Sequence, residues 1–205
     1  SMQTNYNGDN YVNEQHLSIK KRIVDINDDS INEVLLTDVS LNEKYSKNRL
    51  ICFDKNGEVI WSHLFKDSIV NNNEKISRNY KIHIIEEHEL NGNKTLYSTA
   101  VNTPLFPSAI YKLDLETGER LTGTLWHPGQ LYGYGIIGDF NNDSNTELFL
   151  SGVSNAYNCA IAFSIDLKDL DGKAPTTNEY DFPNHSLTNF NFYIRIPKTD
   201  FTKYS

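Results

Sequence analysis

Asp25, Asn27, Asp29 and Glu33 stand at positions 1, 3, 5 and 9 of a short polar run, and Asp139, Asn141, Asp143 and Glu147 repeat that pattern. Side-chain oxygens on alternate residues of a tight loop can converge on one point. A hard divalent cation that takes six to eight oxygen ligands suits such a point. A backbone carbonyl at position 7, from Ile31 in the first run and Asn145 in the second, would complete each ring. Calcium is the expected ion, at two structural sites. An EF-hand also opens with Asp-x-Asn-x-Asp, but it needs a bidentate Glu at position 12, where this chain has Leu36 and Leu150. Even without metal these residues would make turns, because Asp, Asn and Ser bond their own backbone.

Other candidate chemistry is thinner. His83 and His88 bracket Glu86 and Glu87, but the spacing is not that of a zinc protease helix. On a regular strand, residues five apart point to opposite faces. Glu86, Glu87 and Glu89 form the one unassigned acidic cluster that could serve proton transfer. Trp61-Ser62-His63 and Trp126-His127-Pro128-Gly129 end comparable apolar segments and read as structural marks of a repeat. Were Trp61, Trp126, Tyr132 and Tyr134 to share a face, they could stack on sugar rings. The chain has no serine-hydrolase elbow, phosphate-binding loop or dinucleotide fingerprint. Three glycosylation sequons, at Asn93, Asn142 and Asn184, are weak signals, and the second lies inside an acidic run.

The elements that must position the acidic runs are strands. Hydrophobic residues make up 38% of the 205, with Tyr and Phe dominating the aromatics, which excludes a disordered chain and favours β-structure. The formal charge of −8 argues against nucleic acid as a partner. Two cysteines, Cys52 and Cys159, are too few for a disulfide scaffold; both lie in apolar segments and read as buried free thiols, their pairing left open. No apolar run is long enough for a membrane helix. Ser1-Met2 reads as a cloning remnant, so a native signal or anchor could lie outside the chain.

A third, eroded copy of the acidic run starts at Glu87 and ends at Thr95, so the copies begin at residues 25, 87 and 139. Such spacing is that of propeller blades or solenoid units. Apolar alternation with glycine turns places strands near 17–25, 33–39, 48–54 and 58–65, then 80–88, 95–102, 108–115 and 120–127, then 131–139, 147–153, 159–166 and 191–196. Residues 1–16 read as a tail, 66–79 as a connecting loop, and 17–205 as one all-β domain with repeats near 17–65, 80–128 and 130–197.

These runs resemble the FG-GAP/VCBS repeats of integrin-like β-propellers. The match is closest from Gly138 to Leu148, next from Val24 to Val34 and weak from Glu87 to Leu96; Tyr132-Gly133 matches the aromatic-glycine pair of the repeat. The resemblance implies a calcium ion in the loop between the first two strands of a blade. It assigns Asp25, Asn27, Asp29, Ile31 and Glu33 to one site, and Asp139, Asn141, Asp143, Asn145 and Glu147 to the other. The family's glycine at position 6 is replaced here by Ser30 and Ser144, a departure that predicts strain of about 1 kcal/mol and modest affinity. Three four-stranded repeats are too few for an ordinary ring, so a further degenerate blade, a larger propeller or another packing all remain open. The function implied is a non-catalytic recognition or adhesion module for a protein or glycan, in an extracellular, periplasmic or cell-surface setting where calcium is near millimolar. The alternatives are a polysaccharide-active enzyme or its accessory domain, or the sensor domain of a bacterial receptor.

Overall fold

The computed structural model describes residues 21–37, 48–71, 74–77, 79–90, 92–102 and 107–198. The expected tail, and the first residues of the expected opening strand, lie outside them. The described chain is all-β, with no α-helix among these residues. β1 (Lys21–Val24), β2 (Glu33–Thr37), β3 (Arg49–Phe53) and β4 (Val59–Leu64) form an antiparallel meander. The period-two alternation puts Leu35, Leu50, Cys52 and Trp61 on its inner face.

Residues 66–79 were expected to be a plain loop. They contain a small hairpin instead, β5 (Ile69–Asn71) with β6 (Glu74–Ile76). Ile69 and Ile76 lie opposite each other and are buried in the first core, which supplies the apolar anchor that a short hairpin needs.

The second sheet is the meander β7 (Tyr80–Leu90), β8 (Asn93–Asn102), β9 (Ser108–Asp114) and β10 (Arg120–His127). β11 (Gly129–Gln130), β12 (Gly135–Gly138), β13 (Glu147–Ser154) and β14 (Cys159–Asp166) follow in the third sheet. The stretch after β14 then turns back: β15 (Gly172–Lys173) adds in parallel to β10, and Phe182 is buried in the first core near Trp126. β16 (Phe192–Ile196) returns to pair with β14. Each of the three large sheets therefore contains a four-stranded antiparallel path, and none closes on itself.

The second sheet is the middle layer. Ile82, Leu96, Tyr111 and Trp126 join the first sheet in one core, whereas Ile85, Tyr97, Ile110 and Leu125 join Leu148, Leu150, Ile161 and Phe163 of the third in another. Covering on both faces explains why β8 and β9 read as nearly continuous apolar or small runs. Polar ties reinforce the stacking. Arg22 of β1 pairs with Glu87 of β7 at 2.6 Å, and Glu86 accepts the Ile137 N–H of β12 at 2.8 Å.

The eroded copy is not a loop. Glu87 lies opposite Leu96 and Glu89 opposite Lys94, so this segment is the end of a long hairpin. Without the Asp-Asn-Asp series there is nothing to hold an open turn, and strand pairing runs on to Leu90 and Asn93.

Candidate metal centre

The two acidic runs occupy equivalent places. Residues 25–32 join β1 to β2 beyond the pair Val24–Glu33, and residues 139–146 join β12 to β13 beyond Gly138–Glu147. Their internal bonding is also alike. The position-1 carboxylate accepts the N–H of position 6, at 2.8 Å from Ser30 to Asp25 and 3.0 Å from Ser144 to Asp139. The position-3 amide oxygen accepts the N–H of position 5, at 3.2 Å for Asn27 and Asp29 and 2.9 Å for Asn141 and Asp143. The position-5 carboxylate accepts the N–H of Ile31 or Asn145, each at 2.8 Å. Finally, the strand-opening glutamate accepts the N–H of position 2, at 3.1 Å from Ile26 to Glu33 and 2.7 Å from Phe140 to Glu147.

This winding needs left-handed backbone at positions 4 and 6. Asp28 and Ser30 have φ of 62° and 65°, and Asn142 and Ser144 have 60° and 68°. Asp and Asn tolerate that region; serine is strained there. Ser30 and Ser144 at position 6 thus sit where glycine would be free of strain.

Beyond the shared winding the loops differ. Among the described residues, one trio of potential ligand groups gathers within 4.8 Å, formed by Asp139, Asp143 and Glu147. Asp25, Asp29 and Glu33 form no such group. Glu147 is fully buried, and its Oε1 has no hydrogen-bond partner while Oε2 takes the Phe140 amide. A buried carboxylate oxygen without a donor costs several kcal/mol unless a cation meets it. Asp143 is held below the usual carboxylate range, first by the Asn145 N–H and then by the Asn141 side chain, so it stays ionised.

At the first loop a cation is already built in. The Lys94 ammonium, from β8, bonds the Asp25 carbonyl oxygen at 2.7 Å and pairs with Asp28. Burial raises the Asp25 carboxyl, but the N–H groups of Ser30, Asn27 and Asp28, with the Lys94 charge, leave it lowered overall.

Two neighbours were not legible as site residues. Asp166 faces Glu147 across the β13–β14 register, and Lys168 (2.9 Å) and Asn191 (2.9 Å) keep its carboxyl lowered. Lys94 lies outside both acidic runs. Asp166 arrives through the register of β13 with β14, and Lys94 through the stacking of the second sheet on the first, and the spacing within the acidic runs carries no signal of either.

The remaining candidates are accounted for by the fold. Glu86 and Glu87 tie β7 to its two neighbouring sheets: both lie within reach of Arg22 of β1, at 3.9 Å and 2.6 Å, and Glu86 also takes the Ile137 amide of β12. A bulge between Ile84 and Glu86 reverses the alternation, so His83 and His88, opposite Thr99 and Thr95, share a face after all. Trp61 and Trp126 are buried in the first core, whereas Tyr132 and Tyr134 are exposed, so the four aromatics make no common platform. Cys52 and Cys159 are free thiols in separate cores, and burial pushes Cys52 up to about 12. No helix among the described residues is long and apolar enough to cross a membrane.

No protein-family model, curated protein or solved structure matches the chain.

Proposed function

We propose that the protein is a calcium-stabilised, non-catalytic recognition module whose stacked four-stranded sheets belong to a propeller-type arrangement of the FG-GAP/VCBS kind. One observation carries the metal reading: the unpartnered, fully buried Oε1 of Glu147 within the Asp139–Asp143–Glu147 trio. Asp139, Asn141, Asp143 and Glu147, with the Asn145 carbonyl, would hold the ion. Asp25, Asn27, Asp29, Glu33 and the Ile31 carbonyl would hold a second, weaker one. A bound calcium supplies charge neutralisation and a crosslink between the ends of adjacent strands; the residues themselves supply a prewound loop.

Recognition is favoured over catalysis because the paired acids that chemistry would use, Glu86 and Glu87, are both engaged by Arg22, at 3.9 Å and 2.6 Å, and Glu86 also takes the Ile137 amide. An oxygen site strained at position 6 would suit millimolar calcium, which favours a working environment outside the cytosol. The ligand would be a protein or glycan.

Thermal melting with calcium, magnesium and chelator tests the metal reading. Calcium at a hundred times its dissociation constant adds about 2.7 kcal/mol, enough to raise the midpoint by several degrees. Magnesium, which demands a compact octahedral shell, should add much less. Identical melting curves in calcium and chelator would remove the proposal's foundation.

A further inference from the structure

A second site lies at the junction of the first two sheets, away from both acidic loops. A cleft of about 320 Å³ is lined by Arg49 of β3, His63 of β4, Lys66 and Asp67 just after it, and Arg120 of β10. Two guanidinium groups and a lysine thus face one carboxylate, in a chain whose net charge is −8. That carboxylate is already engaged, because Asp67 accepts Arg120 Nη2 and the Thr124 hydroxyl, each at 2.9 Å.

Among the side chains that line the cleft, what remains unsatisfied is nitrogen. The Arg120 terminal nitrogens are taken up by Asp67, Thr124 and the carbonyls of Lys112, Leu121 and Gly123. Arg49 Nη1 donates to Ser62 Oγ at 3.2 Å. Left buried without partners are Nε of Arg49, Nε of Arg120 and Nε2 of His63, from three of the side chains that line the cleft. Guanidinium groups cannot shed their charge, and Asp67 answers Arg120 alone, so the cleft keeps an excess of positive charge from Arg49 and Lys66 that an anion would offset.

The site is also preorganised. Tyr111 of β9 lies beneath it, with the Arg120 guanidinium 5.1 Å from its ring centre and the His63 ring stacked at 5.5 Å. The same crowd of charges acts on His63. Burial first, then Arg120, Lys66 and Arg49, against Asp67, hold its imidazole down at about 4.

We propose that this cleft is an oxyanion site, taking a phosphate, sulfate or carboxylate group of an acidic ligand through Arg49, Lys66, Arg120 and His63. Binding of the anion is independent of the calcium sites; the recognition reading enters only where the anion is identified as part of a glycan or protein. An anion beside His63 favours the imidazolium over the neutral ring, against the repulsion from Arg49, Lys66 and Arg120. Affinity for sulfate and glucuronate, whose charge is constant near neutrality, should therefore rise as pH falls toward the pKa of His63 in the bound state.

Sulfate, inorganic phosphate and glucuronate are titrated into the whole protein at constant ionic strength in chloride, with calcium and again with chelator. Calorimetry and the His63 ring resonances are the readouts. Saturable binding is expected, with a raised His63 pKa, an affinity at least ~10-fold weaker in Arg49→Gln and a few-fold weaker in Lys66→Gln. Lys66 is exposed, so that variant folds irrespective of the outcome for Arg49. Preference for sulfate or phosphate marks a tetrahedral group, and preference for glucuronate marks an acidic sugar or peptide carboxylate. A response no different from chloride, or unchanged affinity in both variants, overturns the proposal. Persistence of binding in chelator separates this result from any failure of the metal reading.

Discussion

The loops at 25–33 and 139–147 share spacing, left-handed positions and hydrogen bonds, yet they meet different surroundings. Beside the first, β8 of the next sheet delivers Lys94. Beside the second no internal ammonium is bonded to the loop backbone among the described contacts, and Glu147 carries an oxygen with no donor. Local sequence thus winds a loop and aims its oxygens, while the neighbouring strand sets how much positive charge the loop still requires. An internal lysine and an external divalent ion are two answers to the same electrostatic demand. The first loop should accordingly be the weaker calcium site.

The largest effect that can break this comparison is at Glu147. Glu147→Gln keeps an acceptor for the Phe140 amide but removes the charge, and should abolish this loop's own share of the calcium-dependent gain, about 2.7 kcal/mol when saturated, in melting experiments. Glu33→Gln should remove a clearly smaller share. Equal losses in the two variants would show that the loops are equivalent in spite of Lys94.

A middle-sized effect sharpens it. Lys94→Met removes the resident cation, and calcium affinity at the first loop should rise about 10-fold, or 1.4 kcal/mol. Calorimetry would then show two sites of similar strength. Stability in chelator should change by less than about 1 kcal/mol, since the Lys94–Asp28 pair is largely exposed on the aspartate side. If the two affinities remain as unequal as in the parent, another group is responsible for the difference.

The smallest effect concerns what the loops have in common. Ser30→Gly and Ser144→Gly relieve left-handed strain of at most about 1 kcal/mol each, so calcium affinity should improve a few-fold at both. Stability without metal should gain less, because glycine also loosens the unfolded chain. Improvement at one loop alone would mean that the matching φ values conceal different strain.

Much of the strand pattern was legible because two-residue alternation is local. The segments near 48–54, 108–115, 120–127 and 159–166 correspond closely to β3, β9, β10 and β14. The acidic ladders were legible for the same reason: Asx turns bond residues two to five apart. The third ladder misled because Glu87 and Glu89 fit the spacing, while strand pairing with Leu96 and Lys94 was the stronger local option. The hairpin within 66–79 was hidden by its polar composition, since only Ile69 and Ile76 carry its burial. The two histidines of β7 could not be placed by counting, because one bulge reverses every side chain beyond it.

The sequence by itself determined that the chain is built of strands, where most of them run, and that two loops wind alike around alternating Asp and Asn oxygens. Those outcomes rest on bonds between near neighbours and on the alternation of side chains across a strand. Only the tertiary structure decided that Lys94 meets one loop, that Glu147 is buried with an unanswered oxygen in the other, and that Arg49, His63 and Arg120 converge on one cleft. Charges brought together by stacked sheets interact through space, and their separation along the chain holds no record of that distance.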